Sequence, residues 1–264
     1  AMPNTTLNKL KNNKPDSKLG FKLSKRLQQL TAMVTFQYDH IWDCCCDHGL
    51  LGFALLSRNL VNKAPRTIVP HASNTIHFVD IVPELITTVQ HKLKRFYPHS
   101  NWQTYCLDVA KLPLRQYQGR HLVIIAGVGS DLMIEFVKAI VQQHKDLNID
   151  FLLCPVHHQF ALRQQLITLN FSLKDEVLIE ENRRFYEILL VSSLPDSASE
   201  KPNKISPVGD KIWQTTSSQQ FEIAKKYLHK SLSHYQRIQQ GAKQNKANNV
   251  QHIIDAYRDI TLTQ

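Results

Sequence analysis

Several things are missing from this 264-residue sequence, and each absence removes a class of protein. No run of roughly eighteen or more apolar residues occurs, so no membrane-spanning helix is expected. The opening residues, Pro3, Asn4 and Thr5 followed by spaced lysines, hold no apolar segment of the secretory kind, and a cytoplasmic protein is expected. Cysteines are few and poorly placed for cross-linking: Cys44, Cys45 and Cys46 are contiguous, while Cys106 and Cys154 stand alone. All five lie in apolar runs that read as buried strands, which argues against a disulfide framework. No C-x-x-C spacing occurs, and neighbours on a strand point to opposite faces, so the triple cysteine reads as small core residues rather than a metal site. The G-x-G-x-x-G turn of a nicotinamide-dependent dehydrogenase is absent as well.

What is present is 42% hydrophobic content, enough for one α/β domain with an appendage, and a net charge of +10. The charge is unevenly spread. Residues 1–39 hold seven Lys/Arg against two Asp/Glu, and residues 201–264 hold ten against four. The middle, 40–200, is nearly neutral at fifteen against sixteen. Cationic flanks around a neutral core suit a large polyanion gripped over a wide surface, which favours nucleic acid as partner. Basic flanks that merely solubilise the chain are the alternative on composition alone.

The order of patterns predicts the architecture. Residues 1–20, rich in Asn and Lys with Pro3 and Pro15, read as a flexible basic arm. Leu23, Leu27, Leu30 and Val34 recur at helical spacing. Strand-like runs at 40–46, 75–81, 102–107, 121–126 and 149–155 then alternate with helical stretches at 49–58, 83–95, 131–143 and 160–169. Such alternation implies right-handed crossovers on a parallel sheet. Two further runs, 171–179 and 185–192, flank Glu180, Glu181, Asn182 and Arg183 and read as a hairpin. The predicted fold is therefore α/β, a doubly wound Rossmann-like sheet over 21–193 with an antiparallel last strand. A linker is expected at 194–207. Phe221, Ala224, Leu228, Leu232, Tyr235 and Ile238, then Val250, Ile253, Ile254 and Tyr257, trace two stripes that make 208–264 a basic, coiled-coil-like helical hairpin.

Ligands of open α/β sheets sit at the carboxyl ends of the strands. The first run ends in Asp43-Cys44-Cys45-Cys46-Asp47-His48-Gly49, whose small residues would let backbone approach a cofactor, with Gly49 opening a helix whose amides favour a carboxylate. Asp80 ends the second and is placed to accept from two ribose hydroxyls; Asp108, after the third, is placed to accept from an adenine amino group. Gly127-Val128-Gly129, after the fourth, leaves room for a flat substrate. Each acid alone is as readily a turn or a helix cap, and His157-His158 a surface pair. Three successive strands ending in acids is the informative feature.

Taken in order, Leu23-Ser24-Lys25-Arg26-Leu27, Asp43-x-x-x-Asp47-His48-Gly49, Ile125-Ala126-Gly127-Val128-Gly129 and Phe185-Tyr186-Glu187-Ile188 resemble the bacterial tRNA adenine-N1 methyltransferases that act at position 22. The resemblance covers about residues 22–192 and implies S-adenosylmethionine as cofactor and tRNA as partner. By resemblance, Asp43 and Gly49 border the methionine moiety, Asp80 the ribose, Asp108 the adenine and Gly127 to Gly129 the acceptor, with Gly127 also counted as cofactor-binding. Gly129, Pro155 and His157 fall on the substrate, and Asp47 and His48 are the expected catalytic pair. The chain departs from that family in having Cys45 for a glycine, Gly127-Val128-Gly129-Ser130 for Gly-Met-Gly-Gly, and Cys154-Pro155-Val156 for Gln-Pro-Asn, with His157 a stand-in for the lost asparagine. A methyltransferase acting on another acceptor, and a non-catalytic RNA-binding module that keeps the fold, stay open as alternatives.

Overall fold

The computed structural model describes residues 22–62, 74–194, 203–242 and 249–264. The expected arm at 1–20 and most of the expected linker lie outside the described residues. Five parallel strands, β1 (His40–Cys44), β2 (Thr75–Asp80), β3 (Trp102–Cys106), β4 (His121–Ala126) and β5 (Ile149–Cys154), are followed by β6 (Ser172–Glu181) and β7 (Arg184–Ser192) in one sheet of order β3-β2-β1-β4-β5-β7-β6. β7 runs antiparallel to both neighbours, and β6 takes the edge. The central strands are almost uniformly apolar because helices cover both of their faces. The β6–β7 turn is tighter than its sequence suggests: Glu181 and Arg184 pair, leaving only Asn182 and Arg183, both at positive φ (51° and 62°). A two-residue loop of that hand matches the twist of the flanking strands.

Helices α1 (Lys25–Met33), α2 (Leu50–Asn62) and α3 (Pro83–Phe96) pack on one face around Leu30, Phe53, Phe78 and Ile124. α4 (Ser130–Gln143) and α5 (Gln159–Thr168) pack on the other around Trp42, Val123, Met133 and Phe151. The ends of these helices follow local chemistry. Ser24 Oγ accepts from Leu27 N–H (3.2 Å) to start α1. α3 begins on Pro83 with Glu84 in its first turn and closes on Lys94 and Arg95, in accord with the helix dipole.

The two C-terminal stripes become α6 (Ser218–Gly241) and α7 (Gln251–Arg258), which pack on each other. They do not stand apart from the sheet. Val208, Ile212, Trp213, Tyr227, Ile253 and Tyr257 share a core with Phe160 of α5 and Leu178 of β6. Beside it, the fully buried Arg163 guanidinium holds Glu176 (2.6 Å) and Glu187 (2.7 Å), and the Tyr227 hydroxyl donates to Glu187. Glu176 also accepts from the backbone N–H groups of Asp210 (2.7 Å) and Lys211 (2.8 Å). Sheet, α5 and tail thus meet in one polar knot. Among the described residues no helix is long and apolar enough to cross a membrane.

Candidate active site

The chain leaves β1 through an unusually twisted turn, with Cys45, Asp47 and Gly49 all in the left-handed region (φ 55°, 50° and 79°). Two of these three are not glycine, and holding side chains there costs conformational energy that the surroundings must offset. They do so with hydrogen bonds to the next strand. Cys46 N–H donates to the Val79 carbonyl (3.0 Å), and Asp47 N–H donates to Asp80 Oδ2 (3.1 Å). The Gly49 carbonyl accepts from Phe53 N–H (2.9 Å) as α2 begins. At Gly49 a side chain would also press on Phe53 and Val89 at 3.1–3.2 Å.

The expectation that all five cysteines sit in buried strands needs correction. β1 ends at Cys44, Cys45 and Cys46 lie in the turn, and Cys106 is exposed. All five are free thiols. Cys45 is half-buried against the site, and burial, with the carboxylates of Asp80, Asp43 and Asp108 adding to it, pushes its thiol up to about 12, so it stays protonated and poorly nucleophilic.

Beyond this turn opens a cleft of about 440 Å³. Asp43, Asp47, His48, Asp80 and Gly127 line it, so half of the sequence-predicted site comes together. Asp43 is 5% exposed, and among the described residues its carboxylate accepts one hydrogen bond, from Gly52 N–H (3.1 Å) in the first turn of α2. One of the amides expected to serve a ligand's carboxylate is therefore taken by the protein itself. Burial pushes the Asp43 carboxyl up to about 7; the Gly52 hydrogen bond opposes this and the Asp80 charge adds to it. Asp80 accepts from Asp47 N–H and from Val82 N–H (3.0 Å), one per oxygen, which leaves a further acceptor position on each. Asp47 and His48 are exposed and form a weak pair at 3.5 Å.

The other expected residues stand elsewhere. Gly49 underlies the turn. Asp108 is outside the cleft wall and accepts from Ala110 N–H (2.9 Å) as the cap of a 3-10 turn, although its charge still reaches the Cys45 thiol. Gly129 and His157 meet each other, since a Cβ at Gly129 would lie 3.0 Å from the His157 ring. Pro155 is buried. Gly127, at φ 79°, has nothing within 4 Å of its Cβ direction: its requirement is conformational, and it borders open space.

Sequence reasoning assigned no role to Arg26, yet it lines the cleft beside Leu27. Its guanidinium carbon lies 5.0 Å from the Tyr186 ring centroid, and its buried Nε has no hydrogen-bond partner among the described residues. The signal was in the two motifs that carry these residues. Arg26 and Tyr186, 160 residues apart in sequence, meet where α1 packs on β6 and β7, which also brings Lys25 N–H onto Glu181 (2.7 Å). The cleft therefore combines three carboxylates, one guanidinium and apolar walls: a shape for a ligand carrying both charges.

Comparison with known proteins identifies the fold. An uncharacterized protein from Listeria monocytogenes has a similar structure (TM-score 0.63, 18% identity, covering 90% of this chain and 99% of that one). So do M. capricolum TrmK bound to S-adenosyl-homocysteine (TM-score 0.61, 19% identity, 89% and 96% covered) and TrmK of B. subtilis, a tRNA methyltransferase forming 1-methyladenosine at position 22 (TM-score 0.54, 20% identity, 90% and 95% covered). At such identities the likeness establishes the fold. No curated protein matches the sequence. A family model described as a methyltransferase domain matches residues 23–189, well over half the chain, and the protein therefore belongs to that methyltransferase family.

Proposed function

We propose that the protein transfers the methyl group of S-adenosylmethionine to N1 of an adenine in tRNA, position 22 by family resemblance. The observation that carries this reading is the cleft at the ends of β1, β2 and β4, where an uncompensated buried carboxylate, a second carboxylate and an open Gly127 face one space. The residues fit the cofactor. Asp43 lacks a countercharge that an ammonium would supply, and Arg26 Nε lacks an acceptor that a carboxylate would supply. Asp80 keeps two acceptor positions for a diol. Asp108, half-buried and outside the cleft wall, is assigned to the adenine by family resemblance.

Bound there, the cofactor supplies a methyl carbon already activated on a sulfonium. Adenine N1 brings a free lone pair, so the protein removes no proton in the transfer step; its work is alignment, and stabilisation of the positive charge that the base acquires. Asp47 and His48, at the mouth, are assigned to that charge, discounted for their exposure to water. Gly127 to Gly129, with His157 against them, admit the flat base. Residues 21–193 form the catalytic domain and 208–264 the RNA-gripping appendage. A tRNA substrate supports a cytoplasmic location.

The test is incubation of the protein with labelled donor and tRNA, followed by a chromatographic nucleoside digest that separates 1-methyladenosine from its N6 isomer. Asp47→Ala should lower turnover more than donor affinity, and Asp80→Ala should weaken donor binding by about 1–3 kcal/mol. Label in another nucleoside alone overturns the acceptor; donor binding with no acceptor labelled leaves an RNA-binding module.

A further inference from the structure

The ends of β4 and β5 are tied into one wall. Gly127 N–H donates to the Cys154 carbonyl (3.2 Å) and Val156 N–H to the Val128 carbonyl (3.0 Å). Gly127 faces the acid-lined cleft, while Val156 and His157 of the same wall face a second cavity, about 260 Å³, closed by α6 and α7. Its charge is the reverse of the first. Lys230 and Arg237 line it together with His157, His158 and His234, and among the described residues no carboxylate does. The acid that lies beneath, Glu187, is already held by Arg163 and the Tyr227 hydroxyl. Among the described residues neither Lys230 nor Arg237 forms an ion pair. The positive charges crowd one another instead: burial lowers the pKa of His234, and Arg237 and His158 lower it further.

Flat rings are interleaved with these cations. Tyr235 stacks on Tyr257 (5.8 Å between centroids), and Lys230 Nζ lies 5.5 Å from the centre of the Phe185 ring. Both Tyr235 and Phe185 are part-exposed in the cavity wall. Cations placed among accessible rings are how proteins hold single-stranded nucleic acid.

We propose that this cavity is a phosphodiester site for the RNA strand carrying the target nucleotide, with Lys230 and Arg237 on a phosphate and Tyr235 and Phe185 offering ring faces to a neighbouring base. The assignment rests on the RNA-methyltransferase reading and narrows it to a location. A base that reaches Gly127–Gly129 keeps its flanking phosphates within a nucleotide's length of those glycines, and the His157 ring that touches Gly129 is part of this basic wall. An acidic protein segment would use the cations and leave the rings idle.

The experiment uses the full chain and a tRNA transcript. Lys230→Ala/Arg237→Ala removes two exposed cations, and its thermal midpoint and donor affinity report that it is folded. It should bind tRNA about ten-fold more weakly, with the salt slope reduced by about two, while donor affinity is unchanged. Lys225→Ala/Lys226→Ala, an equal loss of exposed charge on α6 outside this cavity, should weaken binding by less than about three-fold. Equal losses in the two variants overturn the site in favour of diffuse attraction. An unaltered protein that methylates tRNA, alongside a first variant with unchanged affinity and slope, overturns the site and leaves the function standing. If the unaltered protein binds no tRNA, site and function fall together.

Discussion

On the proposed placement of the donor's ammonium at Asp43, this buried carboxyl gives donor binding a dependence on pH. With the carboxyl at about 7 in the free protein, it is largely protonated below that value, whereas a bound cation requires it ionised. Donor binding must then release a proton, so donor affinity should fall as pH is lowered from about 8 to about 6. Calorimetry in buffers of different ionisation heat measures that proton directly. Asp43→Asn should bind more weakly and with no such dependence; a pH profile that survives the substitution would assign the proton elsewhere. Gly52 makes a second residue-scale test. A Cβ there would lie 2.2 Å from the fully buried Phe78 ring, which has nowhere to go. Helix propensity favours alanine by about 1 kcal/mol, but overpacking costs about 1–3 kcal/mol. The net expectation for Gly52→Ala is a lower thermal midpoint.

Between elements, polar groups do the joining. β1, β2 and β4 are linked by His40, His77 and His121, with His40 Nδ1 and His77 Nε2 3.0 Å apart and the Trp42 indole donating to His121 (3.1 Å). Burial lowers the pKa of all three, His77 to about 3. Their folded values lie below the unfolded one near 6.5, so the unfolded chain binds more protons and stability is lost as pH falls through that value. Urea midpoints should drop between about pH 7 and about pH 5, and His77→Phe should flatten the slope. The knot around Arg163 joins α5, β6, β7 and α6 in the same manner. Arg163→Met would leave two buried carboxylates without their cation, a loss of about 3–5 kcal/mol measurable by urea unfolding. Glu187, part of the Phe185–Ile188 motif, thus works through the architecture rather than the chemistry.

At the scale of the molecule, the tail is part of the fold. An appendage independent of the core would leave this face of the sheet open, but Trp213, Tyr227 and Tyr257 are buried on Phe160 and Leu178, and Glu176 holds backbone of the segment entering the tail. Deleting residues 208–264 should therefore lower the thermal midpoint of what remains and expose an apolar face, rather than remove RNA binding alone. Static light scattering of the truncated protein checks this: a monodisperse product with an unchanged midpoint would restore the separable view.

The strand–helix alternation, the hairpin and the two C-terminal stripes were legible in the sequence because each depends on local periodicity and on turn chemistry within a few residues. The placing of Asp43, Asp80 and Gly127 at or beside strand ends was legible for the same reason, since a strand's carboxyl end is set by where its apolar run stops. What only the tertiary structure decided are the relations between distant segments. Arg26 meets Tyr186, Asp43 turns inward to an α2 amide, Asp108 spends an oxygen on its own turn, and His157 leaves the first cleft for the wall of a second. Such outcomes turn on which buried polar group finds a partner first. That competition is settled by packing across the whole sheet, and no window of sequence contains it.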